Sequence, residues 1–165
     1  QPFVHGPAKS EDGCLDCHKP HASKYDRLTT KAYPPDSYAA YAPGDGKKVP
    51  NTYALCFGCH DTSMLNKDID GSETGFHDAK LSGGKVVRQN LHWFHVVDAA
   101  GSSHKDRGRS CFVCHDPHGA PQEHNIRAAW PMSTKFSVRI EYSSKRDGGQ
   151  CTRSCHDLRT YKRAE

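Results

Sequence analysis

Hydrophobic positions are sparse along this chain, and few of them form a period. In one stretch Phe136, Val138, Ile140 and Tyr142 alternate with Ser137, Arg139, Glu141 and Ser143, which predicts a strand. Lys85-Val-Val-Arg88 is the candidate partner for it. Short helices are predicted near Tyr53, near Asn90 and around each of four cysteine pairs. The stretch from Tyr33 to Gly46, rich in Pro and Gly, reads as loop. Together these elements predict a mostly irregular fold with short α-helices and little β. The longest apolar run falls far short of the roughly 18–20 residues that a membrane span requires.

Composition sharpens the problem. Only 35% of the 165 residues are hydrophobic, and the mean hydropathy is −0.84. Average usage is about 45–50% on a count that also includes Gly. Something other than an apolar core must therefore hold the chain together. Residues 1–12 lack the basic start and apolar stretch of a signal peptide, so an exported protein would be present here in its mature form.

The eight cysteines supply the missing element. They fall into four pairs: Cys14 and Cys17, Cys56 and Cys59, Cys111 and Cys114, and Cys151 and Cys155. Each pair is followed at once by a histidine: His18, His60, His115 and His156. Histidine occupies 12 of 165 positions. Four such hits by chance have a probability on the order of a few in 100,000, and C-x-x-C-H is the attachment pattern of c-type haem. The fourth site is one residue longer, C-x-x-x-C-H. Two thiols add across the vinyl groups of one haem, and the next histidine supplies the proximal ligand to iron. Four haems leave about 41 residues for each, and their flat apolar surfaces replace a core. All-cysteine zinc sites would leave the four adjacent histidines unexplained. Disulfides within such short loops would constrain little chain.

Eight histidines remain, twice the number of distal ligands that four six-coordinate irons need. His21 and His118 each lie three residues after a proximal histidine, in C-x-x-C-H-x-P-H. They can hardly fold round to the opposite face of the same iron, so each is expected to serve a neighbouring haem. His92 and His95 share a face on a helix and could serve two haems. His5 precedes Cys14 by nine residues, on the approach to the first haem. These five are the distal candidates, with one to spare. His77, His104 and His124 are read as surface or hydrogen-bonding residues.

Two units repeat this arrangement. Residues 1–62 and 90–165 each open with a C-x-x-C-H-x-P-H motif and close with a plainer Cys-Cys-His motif, and residues 63–89 connect them. Within the connection, Asn66-Lys-Asp-Ile-Asp-Gly-Ser72 is similar to the front half of a calcium loop. His77 stands where the bidentate Glu would be expected, so an Asp/Gly turn is the plainer reading.

The formal charge of +4 makes no case for nucleic acid. Four haems would add about −8 through their propionates and about +4 through ferric irons, leaving the oxidised protein near neutral. An enzyme would need an open or exchangeable iron site. The C-x-x-C-K motif of some multihaem enzymes is absent, so no enzymatic activity is expected.

These residues resemble the doubled C-x-x-C-H multihaem cytochromes, first over Val4-His5-Gly-Pro, Cys14 to His21 and Leu55 to His60, then again from Asn90-Leu-His92 to His156. Four motifs in so small a chain, with Asn-Leu-His-x-x-His, are similar to the tetrahaem extracellular cytochromes that polymerise into conductive filaments. The resemblance implies four bis-His haem c groups and a chain wrapped around stacked haem pairs. It implies identical subunits as partners, with a histidine such as His5 completing a haem across the interface. Redox proteins or extracellular acceptors would exchange electrons with it. Export of a precursor to the cell exterior is implied, with the periplasm as the alternative. The longer fourth motif departs from the pattern.

Overall fold

A computed structural model describes residues 1–34, 48–67, 74–98, 108–152 and 155–164. Most of the Tyr33–Gly46 stretch, most of the calcium-like segment, and His104 lie outside the described residues. Three short α-helices occur among these residues: α1 (Gly13–Cys17), α2 (Val49–Thr52) and α3 (Cys111–Cys114). Seven strands form three small antiparallel sheets. β1 (His77–Ser82) pairs with β2 (Lys85–Asn90), and β3 (Ala129–Pro131) with β4 (Ser137–Arg139). β5 (Glu141–Lys145), β6 (Gly148–Thr152) and β7 (Arg159–Lys162) make the third sheet. No helix among the described residues is long and apolar enough to cross a membrane.

Two details differ from the periodicity. The alternating run 136–143 is not one strand. Ile140 donates its N–H to the Ala128 carbonyl at 2.8 Å and turns into a buried cluster, so β4 and β5 join different sheets. Lys85–Arg88 pairs with β1, not with that run. The turn between β1 and β2 is Gly83-Gly84, both at positive φ, the backbone shape that closes a two-residue hairpin. The tip of this hairpin leaves Leu81, Val86 and Val87 exposed.

Among the described residues the core is two small clusters rather than one. Val49, Tyr53, Val96 and Val97 form the first, with Cys56 and Cys111 packed on it. Phe112, Val113, Trp130 and Ile140 form the second, with Cys151 against it. Tyr33 touches both, its ring 4.3 Å from that of Phe112. Three of the four cysteine pairs thus abut the only well-packed apolar groups among the described residues.

Candidate functional site

The three C-x-x-C-H motifs share one local geometry. In each, the proximal histidine donates its N–H to the carbonyl of the first cysteine: His18 to Cys14 at 2.8 Å, His60 to Cys56 at 3.0 Å, His115 to Cys111 at 2.9 Å. A single helical turn puts cysteines three apart on one face. That turn is α1, a 3₁₀ turn at Cys56–Gly58, and α3. Ser110 starts α3, its hydroxyl oxygen accepting the Phe112 N–H at 3.2 Å. At the fourth motif the predicted helix gives way to strand. Cys151 lies in β6, in register with Tyr142 and Arg159, and Cys155 and His156 follow in a bend.

Behind the first and third motifs the chain repeats itself 97 positions later. The ring Nδ1 of His18 faces the Arg27 carbonyl at 2.9 Å, and that of His115 faces the His124 carbonyl at 2.9 Å. Lys19 donates to the Leu28 carbonyl and Thr30 to that of Cys17; Asp116 donates to Asn125 and Arg127 to Cys114. The carbonyls are aimed by two consecutive left-handed residues, Arg27 (φ 58°) and Leu28 (φ 57°) in one loop, His124 (57°) and Asn125 (55°) in the other. Non-glycine residues adopt this shape at a cost of about 1–3 kcal/mol each, and such costs gather at functional sites. A backbone acceptor on Nδ1 fixes the tautomer and leaves Nε2 as the lone pair. His95 and His156 have the same support, from Leu91 and Asp157 carbonyls at 2.7 Å each.

Imidazoles then meet in nearly parallel pairs. His5 and His60 have ring centroids 6.0 Å apart at 18°, His18 and His118 6.1 Å at 8°, and His92 and His115 6.4 Å at 21°. A metal–imidazole bond is about 2 Å long, so two in line, with the half-rings behind them, put centroids about 6 Å apart. Each pair joins a proximal histidine to a distal candidate. His118 faces His18 of the other unit, not its own His115. His5, expected on the approach to the first motif, faces the second. His21 is exposed and joins no ring pair in these three sets.

The distal candidates are held by short-range devices. Asn90 is fully buried, donating to the Met64 and Asn66 carbonyls at 2.7 Å each. Its Oδ1 accepts the N–H of His92 at 2.9 Å and of Trp93 at 3.3 Å. This caps the turn that carries His92 and the π-helix Trp93–Asp98 that carries His95. A widened π turn changes the angle between side chains, and such turns are frequent at functional sites. Asn90, which stands in the sequence as a helix start and as the first residue of Asn-Leu-His-x-x-His, is thus a further residue of the candidate site. At the N-terminus, Phe3 and Ala120 exchange backbone hydrogen bonds and so tie the His5 segment to the His118 segment.

Electrostatics favour neutral ligands. Burial, then the imidazoles of His115, His95 and His60, push His92 down to about 3. Burial lowers His5, His95 and His115 in the same direction. Cys17 is raised by burial, then by Asp16 and by the thiols of Cys59, Cys56 and Cys14. Desolvation first, then the thiols of Cys151 and Cys155, push Cys114 up to about 12. Cys111 is raised by its hydrogen bond to Cys56 and by burial. The thiols of successive motifs are therefore neighbours in chain order, first to second, second to third, third to fourth.

This donor set fits haem c: paired thiols on one turn, an imidazole with Nδ1 engaged, and a second parallel imidazole opposite. His77 does not fit, because its two ring nitrogens face the Thr74 and Arg163 carbonyls at 3.0 and 3.2 Å. His124 is exposed, lends its carbonyl to His115 and sets its ring edge-on to Tyr142 at 5.9 Å. Among the described residues no group of His, Cys, Asp and Glu assembles into a metal-ion site by itself.

The profile of the doubled CXXCH motif family matches residues 5–65, a span that runs from His5 through both motifs of the first unit. That doubled motif implies covalent binding of haem c and suggests electron transfer. No curated protein and no solved structure matches the chain.

Proposed function

We propose that the protein carries four haem c groups, each closed by two histidines, and serves as an electron conduit and not as an enzyme. Cys14 and Cys17, Cys56 and Cys59, Cys111 and Cys114, and Cys151 and Cys155 would hold them, with His18, His60, His115 and His156 as proximal ligands. The observation that carries the reading is the three parallel imidazole pairs. His118 would serve the first site, His5 the second and His92 the third. His95 is assigned to the fourth, where His156 is among the groups that bear on it. Bound haem c supplies a one-electron ferric/ferrous couple. The chain pairs two histidines at each of the first three sites, lowers His5, His92, His95 and His115 through burial, and strings the sites in sequence order.

We further propose that the working form is a subunit of an extracellular filament, exported from the cell, with identical copies as neighbours. The His5 segment, whose backbone ties to the second unit through the Phe3–Ala120 bridge, is the arm suited to exchange between copies. The runner-up is a soluble periplasmic shuttle, favoured by the ability of His5 to meet His60 within one chain.

Mass spectrometry of the purified protein tests the count, with four haems expected and one lost on replacing Cys151 and Cys155 together by Ala. Fewer than four on the intact chain refutes it. Resonance Raman spectra should show six-coordinate low-spin haem throughout, and a resting five-coordinate population would restore the enzyme reading. Electron microscopy of material as released by cells decides between uniform filaments and single particles.

A further inference from the structure

We infer that Arg127 sets the reduction potential at the third attachment site above the value that site would have alone, an inference that rests on haem binding there as proposed. The guanidinium is partly buried, with 14% of the side chain exposed. Its Nη2 and Nε donate to the carbonyl of His115, the proximal ligand, at 2.8 and 3.3 Å. The faces of Trp130 and Phe112 hold it at 4.8 and 5.5 Å. Arg27 adds a second guanidinium on Phe112 at 5.1 Å.

Two features make this charge count. The nearest carboxylate, Asp116, is 3.7 Å away and 34% exposed, so solvent screens it more than it screens Arg127. The corresponding position behind the first site is Thr30, a neutral hydroxyl donating to the Asp16 carbonyl at 3.3 Å. At this position the repeated backbone therefore carries a partly buried cation behind the third site and a neutral side chain behind the first, whose own loop cation, Arg27, is exposed. Reduction takes one electron and removes one positive charge at the metal. A fixed cation beside the axial ligand disfavours the more positive, oxidised form and raises the potential. Arg127 acts through His115, as a positioning and tuning residue. Its effect is to make the string of sites energetically unequal.

The test is a spectroelectrochemical titration of the haem-loaded protein, with sites distinguished by paramagnetic NMR. Arg127→Gln should lower one midpoint potential and leave the other three in place. Arg127→Lys, which keeps the charge, should stay near the parent. Asp116→Asn should raise the same potential and also that of the first site, because the carboxylate lies 3.7 Å from the His118 ring as well as from Arg127, while Asn retains the oxygen that accepts the His118 N–H. Unmoved potentials, or a uniform shift of all four, overturn the inference. If Arg127→Gln fails to fold, the Asp116→Asn result decides alone, and no shift at the third site refutes it. A chain without haem, seen by mass before any titration, refutes the parent reading instead.

Discussion

Phe3 and Ala120 exchange both backbone hydrogen bonds, at 3.2 and 2.8 Å, across 117 residues of chain. Two residues from each lies a distal candidate: His5 after Phe3, His118 before Ala120. One bridge thus steadies imidazoles facing two different motifs. Gly119 makes the approach possible. Its φ is +135°, and a Cβ there would sit 2.9 Å from the Phe3 carbonyl oxygen. Gly119→Val is therefore expected to release both segments at once. Electron paramagnetic resonance should show high-spin signals from two haems. A change confined to one haem would mean that the bridge does not couple them.

His21 and His92 should respond oppositely to removal. His92 faces His115 at 6.4 Å, whereas His21 is exposed. His92→Ala should convert one haem to high spin in the resonance Raman spectrum. His21→Ala should leave a single-chain preparation fully low spin. High-spin haem in His21→Ala would show that His21 is a ligand and that the pairing assigned here is incomplete.

Asn90→Ala removes a buried hub with four hydrogen bonds. A lost cap costs about 1 kcal/mol, and two carbonyls left without their donor add about 1–3 kcal/mol. A loss of about 3 kcal/mol is expected in denaturant unfolding of the haem-loaded protein. A loss under about 0.5 kcal/mol, the scale of an ordinary surface change, would show that water replaces the side chain.

Asn125 holds a left-handed backbone shape while its carbonyl accepts from Asp116. Asn125→Val should cost about 1–2 kcal/mol, because a β-branched residue resists positive φ. Asn125→Gly should be neutral or slightly stabilising. Thermal melts of the two variants check the sign, and equal melting temperatures would contradict the strain.

The attachment motifs were legible because the spacing of two thiols and an adjacent ligand must be written in the sequence itself. Which distal histidine meets which proximal one was not. That depends on backbone pairings such as Phe3 with Ala120, where no side chain announces the contact. The strand reading of 136–143 failed just past Ile140: its N–H still bonds Ala128 in the β3–β4 register, but the Gln122 side chain takes the Ile140 carbonyl and the Tyr142 N–H, and the ladder ends there. The β1–β2 hairpin went unread although Gly83-Gly84 marks its turn, because His77, Asp78, Lys80 and Ser82 carry little strand character. The fourth motif resisted for another reason. Its extra residue lets Cys151 belong to a sheet, so the local rule taken from its three relatives did not transfer.

The loops behind His18 and His115 share a backbone course but almost no side chains: Asp26-Arg-Leu28 in one, Glu123-His-Asn125 in the other. The group that steers each ring is a peptide carbonyl, which every residue type possesses. Mutation can rewrite such a loop freely so long as the left-handed pair survives. Divergent descendants would then keep the orientation of the ligand while losing every letter that records it, and kinship would persist in shape well after it had faded from the alphabet.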